Sequence, residues 1–283
     1  VILLAVIIIV GGIVWLYTGS ISSAKTKVFN AIPLPAAVVD MKLVSASSVI
    51  ERVELAKKLL DAQGLGDEAN PNDTYDQVID AKKVAALVSQ RSLSVKNEAI
   101  DEEYNNIITQ YAAGDEKGFA EELEKTYQMT ADQFKDQVIR QELLQAQLVI
   151  WYNQNEDLNK DKYETVRGLQ EKLNKGESFD DVARNFTQDE ATKDFAGDSG
   201  TLAYDDLLPE FREALKDAKV DDVKMIPSRY GLHILKVLEL NNNGENGAKQ
   251  IHLQQIFIKE SGFTDWLAKE SDNIRVIKLL KFS

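Results

Sequence analysis

Apolar residues recur mostly at helical spacing between positions 45 and 155. Ser45 is typical of a helix start and Gly64 of a helix end, and Thr130 and Gln133 have the spacing of a capping box. We therefore predict an all-α domain in this part of the chain. A solvated bundle without a binding surface is the alternative, because helical patterns alone do not reveal a cleft. Helices are predicted over residues 45–64, 75–90, 96–113, 116–127 and 130–154.

The pattern changes at the polar run NQNEDLNKDK, residues 153–162, which we interpret as a domain boundary. Beyond it, short helical stretches alternate with runs that are typical of strands. The fold class is therefore α+β, with a helical domain followed by an antiparallel sheet with helices. Helices are predicted over residues 163–175, 179–186 and 208–216, and strands over 224–226, 232–240 and 250–259.

The chain opens with an uncharged apolar run from Val1 to Tyr17. At about 1.5 Å per residue, this run covers most of a bilayer core of roughly 30 Å. We expect an N-terminal transmembrane helix that forms a membrane anchor over residues 1–20, followed by a polar linker over residues 21–35. A cleaved signal peptide is the alternative, but the run is longer than a usual signal core and no clear cleavage site follows it.

Composition narrows the possible chemistry. The chain has 33 basic and 46 acidic residues and a net charge of −13, which opposes nucleic-acid binding because phosphate contacts need clustered Lys and Arg. The absence of cysteine excludes disulfides, thiol nucleophiles and cysteine-bound zinc. The chain has 2 histidines, His233 and His252, which do not suffice for a histidine-rich metal site. We expect no metal and no cofactor.

Short motifs between Gly176 and Ile234 occur in the order in which one known family has them. They are G-x-x-F-x-x-x-A (Gly176, Phe179, Ala183), F-[ST]-x-D (Phe186–Asp189), G-D-x-G (Gly197–Gly200), P-E-F (Pro209–Phe211) and G-x-H-I (Gly231–Ile234). On these residues the chain resembles the parvulin-type, PpiC-like peptidyl-prolyl cis–trans isomerases. The order of an anchor, a helical domain and a parvulin-like domain also resembles that of extracytoplasmic foldases of the SurA and PrsA type.

The resemblance assigns roles by position. Such an isomerase holds proline in an apolar pocket and favours the twisted amide over a polar floor, without a nucleophile or a metal. A turn cap at Asp189 and simple core packing at Phe211 are the alternative interpretations of those two residues. The resemblance implies catalytic roles for Asp189, Ser228 and His233, and substrate contacts for Leu207, Phe211 and Tyr230.

One histidine of the family's pair is missing. The family's first strand supplies it, but the corresponding region here has Gln147 and is typical of the end of a long helix. The strand 250–259 follows the last family strand and contains His252, so a hairpin would bring it into the vacant position. A register that sets His233 opposite His252 would place both imidazoles on one face. We therefore predict a strand-permuted parvulin domain with His252 as the second catalytic histidine; two ordinary strand histidines in an inactive domain are the alternative.

The resemblance implies a single-pass protein of the cell membrane with an extracytoplasmic part that isomerises X-Pro bonds in unfolded or secreted clients. Its helical domain would span residues 36–158, completed by 263–283 through pairing of the tail with the hairpin AAVVDMKLV, and its isomerase domain residues 159–262. The expected partners are proline-containing polypeptides and, through residues 1–17, the lipid bilayer, with no nucleic acid. An inactive chaperone that only holds clients and a structural or secretion-linked scaffold are the other possibilities.

Overall fold

The computed structural model describes residues 12, 14–18, 20–242 and 249–282. The chain divides into two compact units. The helical unit comprises residues 1–144 and 266–283, and the sheet unit comprises residues 145–265. The predicted transmembrane helix falls largely on residues 1–11, 13 and 19, which lie outside the described residues. Within the described part of the chain, no helix is both long and apolar enough to cross a membrane.

The helical unit contains most of the predicted helices. The capping box is confirmed, because Thr130 Oγ1 accepts from the Gln133 N–H and the Gln133 side chain accepts from the Thr130 N–H. The helices are α1 (Ser23–Ala31), α2 (Ala46–Ala62), α3 (Pro71–Gln90), α4 (Asn97–Ala112), α5 (Glu116–Tyr127) and α6 (Ala131–Phe134), and a π-helical turn (Lys135–Ile139) leads from α6 into α7 (Arg140–Gln154). Gln147 thus lies in a helix, as its sequence context predicts.

A small antiparallel sheet joins the two ends of the helical unit. Strands β1 (Pro35–Val39) and β2 (Lys42–Ser45) form the predicted hairpin, turned at Asp40 and Met41, which both have positive φ. The tail strand β7 (Val276–Lys278) pairs with the free side of β1, with Val38 opposite Ile277. The predicted pairing of the tail with the first hairpin is therefore confirmed.

The sheet unit is built on four antiparallel strands in the order β3-β6-β5-β4. These are β3 (Asp198–Ala203), β4 (Val223–Ser228), β5 (Gly231–Asn241) and β6 (Gln250–Lys259). Helices α8 (Lys160–Asn174) and α9 (Phe179–Phe186) cover one face, where Leu232, Ile234, Ile256 and Ile258 are buried. Helix α10 (Pro209–Leu215) packs on the other face over Leu235, Val237, Ile251 and Leu253. The last helix, α11 (Phe263–Asp272), follows β6.

The predicted hairpin of β5 and β6 is confirmed, but its predicted register is wrong. Phe257, and not His252, lies opposite His233, and beyond a bulge His252 lies opposite Glu239. Positions 252 and 257 are an odd number of residues apart, so their side chains point to opposite faces of the sheet. The observed register buries the apolar residues of β6 in both cores at once. That burial outweighs any pairing of the two histidines.

Candidate active site

The imidazole of His233 lies on the face of the sheet that α10 covers. His233 is only 5% exposed, and the rings of two phenylalanines contact it. Phe211, from the first turns of α10, meets the imidazole edge-on with ring centroids 4.8 Å apart. Phe257, the cross-strand neighbour on β6, stacks on it with centroids 4.6 Å apart. The alternation of side chains along β5 directs His233 into this aromatic environment.

Both nitrogens of His233 are hydrogen bonded. Nε2 lies 2.8 Å from Oγ of Ser228, the last residue of β4. Nδ1 lies 3.1 Å from Oε1 of Gln255 on β6, whose Nε2 donates to Asp189 Oδ2 over 2.7 Å. Ser228 also accepts from the backbone N–H of Tyr230. These contacts form one continuous hydrogen-bonded network, which we call the polar floor. It runs from Tyr230 through Ser228, His233 and Gln255 to Asp189.

The environment of His233 keeps its side chain neutral. Burial lowers the pKa of the His233 imidazole to about 4, while the Gln255 hydrogen bond and the Asp189 charge oppose this to a lesser extent. At neutral pH the buried part of the polar floor therefore carries a neutral imidazole, and its groups are matched as donors and acceptors.

The predicted site residues, apart from His252, lie in or next to the polar floor. Asp189, Ser228 and His233 belong to the polar floor, and Leu207 and Phe211 are buried together in the core over the same face. Tyr230 is 52% exposed and touches the floor through its backbone. Asp189 also caps its own turn, accepting from the Ala191 N–H and the Thr192 hydroxyl, which confirms the turn-cap interpretation.

His252 is not part of this site, and the prediction that it lies beside His233 on one face of the sheet is wrong. Its Nε2 lies 2.7 Å from Asp198 Oδ1, next to the bulge between β3 and β6. Although burial opposes it, the hydrogen bonds from His252 and the Gly200 N–H hold the pKa of Asp198 below its ordinary value. An open depression of about 500 Å³ beside this pair is lined by Arg184, Asp194, Phe195, Asp198, Ser199 and Gly200.

Three residues of the site escape the sequence reasoning. Gln255 and Phe257 follow His252 at odd spacing on β6, so only the correct register reveals that they face His233. The fully buried Asn153 of α7 donates from Nδ2 to the carbonyl oxygen of Ser228 over 2.9 Å and supports the end of β4.

Within the described residues, no group of three or more His, Cys, Asp or Glu side chains could hold a metal ion.

Residues 140–241 match the family model described as the PPIC-type PPIASE domain. This part of the chain therefore matches a parvulin-type peptidyl-prolyl isomerase domain. Strand β6 lies outside the matched residues, yet it occupies an inner position of the sheet and supplies Gln255 and Phe257. The matched segment alone therefore does not contain the whole four-stranded sheet.

Several known proteins are similar to this chain. It is 26% identical over 186 residues to "Foldase protein PrsA" of Caldanaerobacter subterraneus, a match that covers 58% of this chain and 55% of that protein. It is 27% identical over 121 residues to "Chaperone SurA" of Nitrosospira multiformis, covering 41% of this chain and 27% of that protein. A crystal structure of "Peptidylprolyl Isomerase (PrsA)" from Bacillus anthracis is 18% identical, covers 70% of this chain and 85% of that one, and has a TM-score of 0.24. The chain thus spans about half the length of the PrsA relative and about a quarter of the length of the SurA relative.

Proposed function

We propose that this protein is a membrane-anchored extracytoplasmic foldase that catalyses cis–trans isomerisation of X-Pro peptide bonds in unfolded or secreted polypeptides. The observation that carries the catalytic part is the neutral His233 between two phenylalanine rings, tied to Ser228 and, through Gln255, to Asp189. The foldase and chaperone relatives support the client class. The uncharged run of residues 1–17 supports the membrane anchor, and the extracytoplasmic location follows from the resemblance to anchored foldases.

The mechanism needs no covalent step. Rotation about a peptide C–N bond faces a barrier of about 18–20 kcal/mol because resonance stiffens the bond. Leu207 and Phe211 would contact the proline ring, as the resemblance implies, and the polar floor would lie beneath the rotating amide. A site that binds the twisted amide better than either planar isomer lowers this barrier. Exchange of X-Pro isomers, which takes roughly tens of seconds or more unassisted, is thereby accelerated.

The domain is interpreted as a strand-permuted member of its family. In the family the first strand lies antiparallel to the last one, whereas the corresponding region here is the helix α7. Strand β6 lies antiparallel to β5 and so fills the position next to it from the other end of the domain. Gln255 then stands where the resemblance implies a histidine.

Replacing His233 with leucine should lower kcat/KM for a prolyl peptide at least tenfold, because it removes the centre of the polar floor while keeping an apolar side chain in the sheet. His252→Leu is the matched control, since this histidine lies on the opposite face and should leave turnover unchanged. A protease-coupled peptide assay on the full chain measures both. Equal activity of His233→Leu and the wild-type chain, or equal losses in the two variants, would contradict the assignment.

A chaperone that binds clients without isomerising them is the second candidate. The helical unit favours it, because Met41, Leu43 and Tyr111 are 89%, 70% and 74% exposed and offer apolar surface to unfolded chains. Suppression of client aggregation without turnover in the peptide assay would support this alternative. Turnover that depends on His233 would support the enzyme.

A further inference from the structure

Gln255 occupies the middle of β6 and links the two ends of the polar floor. Its backbone N–H donates to the Gly197 carbonyl over 2.8 Å, and its cross-strand neighbour is Leu235. Its side chain bridges Nδ1 of His233 and Oδ2 of Asp189. Because the residue sits on an inner strand, its amide is held by the sheet rather than by a loop.

The contacts of Gln255 determine where the protons of the polar floor lie. An ionised carboxylate only accepts hydrogen bonds, so the Gln255 amide must present its NH₂ group to Asp189. Its carbonyl oxygen then faces His233 and accepts, which requires the proton of the neutral imidazole to be on Nδ1.

The other half of the polar floor completes the same order. Nε2 of His233 carries no proton and accepts from the hydroxyl of Ser228. The Ser228 oxygen in turn accepts from the Tyr230 N–H, so every group of the polar floor has a matched donor or acceptor. A reversed amide would place NH₂ against Nδ1 and leave two oxygen atoms facing each other at Asp189.

We propose that Gln255 is a positioning residue for isomerisation, which fixes His233 as the neutral Nδ1–H tautomer and thereby orients the Ser228 hydroxyl. This role rests on the proposed isomerase function. A glutamine amide does not titrate, so the polar floor keeps one arrangement of its protons. An imidazole in place of the Gln255 amide could exchange them. The groups that face His233 are Ser228 from β4, Gln255 and Phe257 from β6, Phe211 from α10 and Asp189 from the turn after α9.

Nitrogen NMR of the imidazoles in the full chain tests the tautomer without any reference to activity. The chain has 2 histidines, so a His252→Leu variant assigns the signals. We expect Nδ1 of His233 to be protonated and Nε2 unprotonated from about pH 5 upwards, because the pKa of this imidazole is lowered to about 4. A proton on Nε2, or a mixture of tautomers, would overturn the proposal.

Kinetics of matched variants test the positioning role. Gln255→Leu should lower kcat/KM about tenfold, as expected for a buried donor that loses its acceptor, and should disturb the His233 tautomer. Gln254→Leu removes a neighbouring glutamine of the same strand that points to the opposite face and bonds Asp180 and the Ala196 carbonyl. It should cost stability but leave the His233 tautomer and kcat/KM of the folded protein unchanged.

Gln255→Glu adds a third readout. Glutamate still accepts from Nδ1, but its second oxygen meets Asp189, so the two carboxyl groups share a proton and the rate becomes dependent on pH. The wild-type rate should be flat from about pH 5 to pH 8. A wild-type chain without turnover would sink the isomerase proposal itself. A normal wild-type rate that Gln255→Leu leaves unchanged would overturn only the role of Gln255.

Discussion

Gly197→Ala is expected to destabilise the sheet unit by about 4 kcal/mol, the sum of a left-handed backbone penalty and a steric conflict with a strand. Gly197 has a φ of +78°, which non-glycine residues adopt only at a cost. A Cβ atom on it would lie 2.0 Å from the carbonyl oxygen of Gln255 and 3.3 Å from Cβ of Ala183. Since the obstacle is the backbone of an inner strand, β6 must shift at Gln255 itself.

Gly200→Ala separates the two contributions. Gly200 has a φ of +69°, but a Cβ atom there would meet nothing within 4 Å. Its cost should be about 1–2 kcal/mol, which is the backbone penalty alone. The free energy of unfolding of both variants is measured by denaturant unfolding, and hydrogen exchange of the β5 and β6 amides reports the stability of the two strands. Equal losses for Gly197→Ala and Gly200→Ala would show that the close approach to Gln255 is unimportant.

Acid is expected to weaken the sheet unit through His233. Burial lowers the pKa of this imidazole from 6.5 to about 4, so between these values the unfolded chain binds a proton that the folded chain rejects. Stability contributed by this group is therefore complete above pH 6.5 and falls as the pH drops toward 4. The integrated loss is about 3 kcal/mol.

His233→Gln tests this linkage, because glutamine is polar and does not titrate. Between pH 6.5 and 4, the free energy of unfolding of this variant should fall by about 3 kcal/mol less than that of the wild-type protein. Hydrogen exchange of the β5 amides at several pH values reports it. Parallel pH dependences in the two proteins would show that His233 is not the group responsible.

The elements of the sheet unit follow from the sequence pattern more readily than their register does. Alternating apolar residues in β5 and β6 predict the hairpin, and the family resemblance predicts that Ser228 and His233 belong to one site. The register depends on how two cores are filled at once, which a pattern along one strand does not determine. Setting the two histidines opposite each other therefore gives a different alignment from the one that buries Ile256 and Ile258.

The residues of the site differ in how visible they are in the sequence. Asp189, Phe211 and His233 are found through motifs that stand together in the chain. Gln255 cannot be recognised from its residue type alone, because a glutamine amide does not titrate and belongs to none of the family motifs. Its role follows only from two distances, 3.1 Å to His233 and 2.7 Å to Asp189, which require the three-dimensional structure.

The position of β6 has a consequence for biosynthesis. A ribosome that translates this chain releases β3, β4 and β5 before it has made the strand that separates β3 from β5. The nascent sheet unit thus exposes two open edges that wait for the same partner, a state that invites pairing with other chains. Until residues 250–259 emerge, the sheet unit of this protein remains incompletely folded.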